Sequence, residues 1–192
     1  MKKKTLIAAS VVSLVAATAT YADDNCNIEK INTAFELMAK RTELIKGVAA
    51  NKYVTDGKVY AAAQEVKVLN GAQAYAQAHG LNAGSFMLFS QMQIDVSKQI
   101  ESYWINYWRN HPKQAPTKST IQSLSTLRSE LVKLDGRLFP ALQAAVTSFK
   151  HCSNHQIQEA FNQQFSVIKG IPVSPSYGDM LLQSVKGIKL DH

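Results

Sequence analysis

The sequence predicts an all-α protein: a single-domain bundle of about six helices, some of them long. Apolar residues recur at helical spacing along most of the chain, and no alternating run bounded by turn residues marks a strand. No internal repeat, low-complexity tract or Gly-rich phosphate loop interrupts the pattern, and the breaks between periodic segments carry Gly or Pro.

The first residues read as a leader rather than as part of the bundle. MKKK is a basic n-region, LIAASVVSLVAATA an apolar h-region of roughly 14 residues, and TYA before DD a small-residue cleavage site after Ala22. That h-region is too short to span a bilayer, and no later stretch reaches the roughly 20 apolar residues a membrane helix needs. The expectation is a signal peptide over 1–22 and one helical domain over 23–192, periplasmic or secreted. About 170 residues suffice for one well-buried core.

Helical periodicity starts at about Asn27 and runs to Tyr53, where TDG (Thr55 to Gly57) breaks it. A second helix is predicted from Lys58 to His79 with Gly80 as its cap, and LNAGS forms the next loop. A third covers Ser85 to Asn110. HPKQAPTKST, with Pro112 and Pro116, is the clearest linker. Ser119 is the predicted N-cap of a fourth helix, which continues to Lys150 with a bend at Pro140. Shorter helices follow at His155–Ile168 and Ser176–Ile188, separated by GIPVSPS.

The formal charge of +7 includes Lys2, Lys3 and Lys4. Without them 18 basic residues face 14 acidic ones, a net charge of +4. No Lys/Arg-rich run interleaves with aromatics, which argues against nucleic acid, and a modest positive field suits a small anionic ligand. Cys26 and Cys152 are the only cysteines. In an oxidising compartment they are expected to form one disulfide. Two free thiols or a metal pair are the alternatives, but His151 and His155 beside Cys152 lack an evident fourth ligand.

The stretch RTELIKGVAANK places Arg41 and Lys52 eleven residues apart, only about 20° around a helix. Ala34, Leu37, Met38, Leu44, Ile45 and Val48 lie within roughly 60° of Arg41, so two cations sit on the apolar stripe. Either both snorkel to water or they meet a buried anionic partner or ligand. The third helix repeats the anomaly in QIDVSKQIESYW. Ser97 and Glu101, one turn apart, share a face with Phe86, Ile94, Ile100, Trp104 and Trp108, and Gln93 lies a turn earlier. These groups need partners, supplied by an internal network in which Glu101 pairs with Arg41 or Lys52, or by a pocket that holds a ligand.

RTELIKGVAANK, QEVKVLNGAQAYAQAHGL, QIDVSKQIESYW and the later DGRL, behind a signal peptide, resemble the secreted gamma subclass of the AroQ-type chorismate mutases over about Ile31 to Arg137. The resemblance implies a cofactor-free Claisen rearrangement of chorismate to prephenate, with no metal. In such a reaction cations hold a dianion in its reactive conformer and donors face the breaking ether bond. By resemblance Arg41 grips a carboxylate, and Lys52 binds carboxylate and ether oxygen. Ser97 contacts a carboxylate, and Glu101 faces the ether oxygen from the other side, which a glutamate can do only when protonated. Glu65 matches the residue that holds the substrate hydroxyl, and Arg137 a late arginine forming a second carboxylate clamp. By position alone Arg137 sits beside the Leu127, Leu131, Leu134, Leu138 and Leu142 stripe and also fits a surface arginine. The resemblance suggests a homodimer with each site inside one chain.

Two positions depart from the pattern. Many members carry an Asp and, three residues later, an Arg where this chain has Ala61 and Gln64. Gln64 keeps hydrogen-bonding capacity but drops a charge, a loss of about 1.5–3 kcal/mol for one charge-assisted contact. Lys58 is a candidate substitute. A non-catalytic exported protein that binds an anionic metabolite or a protein partner on the same scaffold, and a purely structural bundle with internal salt bridges, are the competing readings.

Overall fold

The computed structural model describes residues 25–166 and 173–191. The expected signal peptide, the last two residues of the predicted helix His155–Ile168 and the first three of GIPVSPS lie outside the described residues. The helices are α1 Ile28–Val54, α2 Ala62–Ala78, α3 Ala83–Asn110, α4 Leu124–His151, α5 Asn154–Ser166 and α6 Pro175–Lys186, with a 3-10 turn at Pro112–Gln114. Among the described residues β pairing is confined to one bridge between Leu81 and Leu190. No described helix is long and apolar enough to cross a membrane.

Local chemistry sets the helix ends. The side chains of Asn27, Asn82 and Ser123 accept hydrogen bonds from the backbone N–H groups of Lys30, Ser85 and Thr126, capping α1, α3 and α4. α1 ends where Asp56 takes a left-handed conformation (φ 53°) and the Gly57 N–H donates to the Lys52 carbonyl at 2.8 Å. A Cβ at Gly57 would lie 3.3 Å from Lys52 Cγ, so glycine lets the chain fold back tightly over Lys52. α2 closes in the same way, with Gly80 at φ 66° and the Leu81 N–H on the Ala76 carbonyl.

Two predicted starts shift. α2 begins at Ala62, not Lys58, because Val59 packs beside Ala49, Ile105 and Trp108 while its carbonyl accepts from Lys52 Nζ. The N-cap of α4 is Ser123, four residues past Ser119, since the Thr117, Ser119 and Thr120 hydroxyls bond one another and the local backbone in a turn. Asn51 of α1 holds that loop through the Gln122 carbonyl at 2.9 Å. The helix continues through Pro140, whose missing N–H falls on an exposed face.

α1 is the central helix, packed against α3, α4 and α5, while α2 and α6 pack on α3. Its Ile31, Phe35 and Met38 are fully buried against Phe86 and Phe89 of α3 and Leu138 and Leu142 of α4. The chain end is tied back through Asp191 N–H to the Gly80 carbonyl and Asn82 N–H to the Lys189 carbonyl.

Cys26 and Cys152 form a disulfide that spans 126 residues and joins the start of α1 to the end of α4. It consumes both thiols, which removes the metal-pair alternative. A loop of that length constrains the unfolded chain by about 3–5 kcal/mol. Thermal melts with and without reductant should differ by roughly 10 °C, and an unchanged Tm would show the bond to be energetically idle.

Candidate functional site

Arg41 and Lys52 do not snorkel: they are only 6% and 7% exposed, and their charged heads are bonded inside the bundle. Arg41 Nε donates to Asp135 Oδ1 at 3.0 Å, and Nη1 donates to Ser97 Oγ at 3.3 Å and Gln93 Oε1 at 3.4 Å. Lys52 Nζ donates to Glu101 Oε2 at 2.5 Å and to the Val59 carbonyl at 3.0 Å. α1 and α3 run parallel: Arg41 meets Gln93 and Ser97, and Lys52, farther along α1, meets Glu101, farther along α3. Arg41 and Lys52 stand about 16 Å apart along α1, yet Ser97 and Glu101 are only about 6 Å apart along α3. The two cationic side chains therefore lean toward each other.

They lean over a half-open cavity of about 100 Å³ lined by α1, α2, α3, α4 and the Val59–Ala61 segment. One water needs about 10–15 Å³ by the same measure, so the space fits a compact small molecule and not a polymer. Ile45, Val48, Val68, Ile94, Leu124 and Leu131 give it apolar walls. Four cations (Arg41, Lys52, Lys98 and Arg128) and three carboxyl groups (Glu65, Glu101 and Asp135) line it. Its charge is +1 with all ionised and +2 with Glu101 protonated.

Burial raises the Glu101 pKa above the ordinary carboxylate range, and the Lys52 hydrogen bond and charge offset this only in part. Lys98 is pushed upward chiefly by its hydrogen bond to Asp95, against a smaller opposing effect of burial, and it also pairs with Glu65 at 3.3 Å. Glu65 is further held by the Ala61 N–H at 3.3 Å. Ser97 already donates its hydroxyl proton to the Gln93 carbonyl at 2.7 Å, so its oxygen faces Arg41 as an acceptor.

Of the predicted residues, Arg41, Lys52, Gln64, Glu65, Ser97 and Glu101 share this cavity, and Ala61 stands at its wall. Arg137 does not line it. It is exposed beside Lys40, Glu43, Glu130 and Lys133 on the outer α1–α4 face. Lys58 is also exposed and outside, so it does not replace the missing charge. Sequence reasoning missed Asp135, Lys98 and Arg128. Arg128 and Asp135 are seven residues apart, about 20° around α4, which is the signal that singled out Arg41 and Lys52 on α1. Arg137 is nine residues from Arg128, half a turn away on the helix wheel. Arg128 makes no hydrogen bond or ion pair to a described residue and is the one cation of the cavity in that position.

This is an all-α bundle of a kind seen in solved chorismate mutases. The secreted chorismate mutase from Yersinia pestis superposes with a TM-score of 0.69 at 20% identity, covering 83% of this chain and 98% of that one. Chorismate mutases from Burkholderia phymatum (TM-score 0.67, 20% identity, 82% of this chain and 94% of that one) and Burkholderia thailandensis (0.67, 19%, 82% and 98%) are similar to it as well. At such identities the likeness speaks for the fold. No family model matches the chain.

Proposed function

We propose that the protein is an exported chorismate mutase of the gamma subclass, converting chorismate to prephenate without a cofactor. The observation that carries this reading is the convergence of Arg41, Lys52, Ser97 and Glu101 on one small-molecule cavity that also holds Arg128, a cation with no hydrogen bond or ion pair to a described residue. In this reading Arg41 and Arg128 hold the two carboxylates. Lys52 and protonated Glu101 then donate to the ether oxygen as negative charge gathers on it in the transition state. Glu65, fixed by Lys98 and the Ala61 N–H, accepts from the substrate hydroxyl. Arg128 thus takes the part that the resemblance assigned to Arg137. Catalysis is positioning and electrostatic preorganisation, with no nucleophile.

The test is loss of chorismate's ultraviolet absorbance on adding purified mature protein, with prephenate identified as product. No loss at any pH from acidic to neutral, by folded protein, sinks the proposal. The rival reading, a non-catalytic binder on this scaffold, is favoured by Ala61 and Gln64, and heat of chorismate binding without turnover would establish it. Export is part of the proposal, and N-terminal sequencing of the exported protein should begin at Asp23. Sedimentation of that protein tests the homodimer.

Arg41→Ala would not separate a ligand-gripping role from a structural one, because it strands Asp135. Arg128→Ala does separate them. Losing one charge-assisted contact should lower kcat/KM about 10- to 100-fold, with Tm unchanged. Arg137→Ala, on the outer face, should match the wild type in both.

A further inference from the structure

Next to the main cavity lies a second, half-open space of about 10 Å³, lined by Arg41, Ser90, Gln93 and Asp135 and by the apolar Phe89 and Leu138. Ser90 and Gln93 are each 3% exposed, and Ser90 Oγ and Gln93 Nε2 have no hydrogen-bond partner among the described residues. The amide orientation is dictated by Arg41: Nη1 donates to Gln93 Oε1, so Nε2 must face away from the guanidinium. Turning the amide over would set two donors against each other.

Two orphaned buried polar groups beside one small cavity are the conditions under which a protein holds an internal water. The volume is about what a single water requires, and a water needs at least two polar partners. Gln93 offers a donor, Ser90 a donor or acceptor, and Asp135 a carboxylate acceptor. Leaving both orphans unsatisfied costs more than immobilising one water.

We infer that this space holds one ordered water, accepting from Gln93 Nε2, donating to the Asp135 carboxylate and bonded to Ser90 Oγ. The water, Asp135, Arg41 and Gln93 then close a ring. Asp135 is fixed against Arg41 Nε and Gln93 against Nη1, so the ring sets the plane of the guanidinium, which also lines the main cavity. Ser90 and Gln93 are thereby positioning residues for Arg41.

A crystal structure of the mature protein should show one density peak within hydrogen-bond reach of Ser90 Oγ and Gln93 Nε2. A dry space overturns the inference. Thermal melts of Ser90→Ala decide it by sign. A hydroxyl bonded to water is a lost partner, and Tm falls by about 2–4 °C; a hydroxyl left orphaned is a relieved penalty, and Tm rises, which overturns it. Neither readout depends on the protein being a mutase. The positioning role rests on that reading: Ser90→Ala should raise KM for chorismate several-fold while kcat stays near the wild type. An unchanged KM, in protein that turns chorismate over, would remove Ser90 from that role.

Discussion

Replacing Lys52 by Met should lower kcat/KM for chorismate by about 10²–10³-fold, the usual loss when one preorganised donor to a developing oxyanion is removed. Met keeps most of the aliphatic volume, so packing is largely preserved and the change isolates the ammonium. The same substitution strands Glu101, which is 5% exposed and has Lys52 as its ion-pair partner. Removing one member of a buried pair costs about 3–5 kcal/mol. The cost must depend on pH. With Lys52 gone, the two influences that lower the Glu101 pKa most are absent and burial raises it unopposed by them. A carboxyl whose folded pKa lies above its unfolded value contributes stability that is present in acid and lost as pH rises through the folded pKa. The variant should therefore melt close to wild type in acid and well below it at neutral pH. Turnover separates the two roles of the lysine: a variant of wild-type kcat/KM would leave Lys52 as no more than the counter-ion of Glu101.

That test could be framed only with the structure, because the sequence exposes faces and hides partners. Periodicity placed Arg41 and Lys52 on the stripe of α1 and Ser97 and Glu101 on that of α3, and the cavity lies between those stripes. Which cation meets Glu101 depends on the relative height of two helices whose paired residues, Lys52 and Glu101, lie 49 positions apart in the chain, and no single-helix wheel contains it. Asp135, 94 residues from Arg41, is hidden for the same reason. Arg128 was legible in principle. The resemblance drew attention instead to Arg137 in DGRL, half a turn from the cavity face, while the seven-residue spacing of Arg128 and Asp135 repeated the cue already used on α1. Helix starts failed where side chains outbid propensity. The Lys52 ammonium held the Val59 carbonyl out of α2, and a string of hydroxyls held Ser119 out of α4.

Glu101→Gln should change the shape of the pH profile more than any other single substitution at this site. On the mutase reading Glu101 must be protonated to donate to the ether oxygen, and its raised pKa makes that form accessible above the ordinary carboxylate range. A bound dianion adds like charge to the cavity and pushes in the same direction. Wild-type kcat/KM should thus be greatest in mild acid and fall about tenfold per pH unit above the Glu101 pKa. Glutamine has the donor at every pH: its Oε1 accepts from Lys52 and its Nε2 faces the ligand, so the variant should be flat from acid to neutral and overtake wild type at neutral pH. The stability curve should change with it. Wild type loses the contribution of protonated Glu101 as pH rises through the folded pKa, and the amide, which does not titrate, removes that slope. If rate and Tm of the variant followed the wild-type pH dependence, another group would be the one that titrates. If the variant were inactive at every pH, the carboxyl would have a part that a neutral donor cannot take.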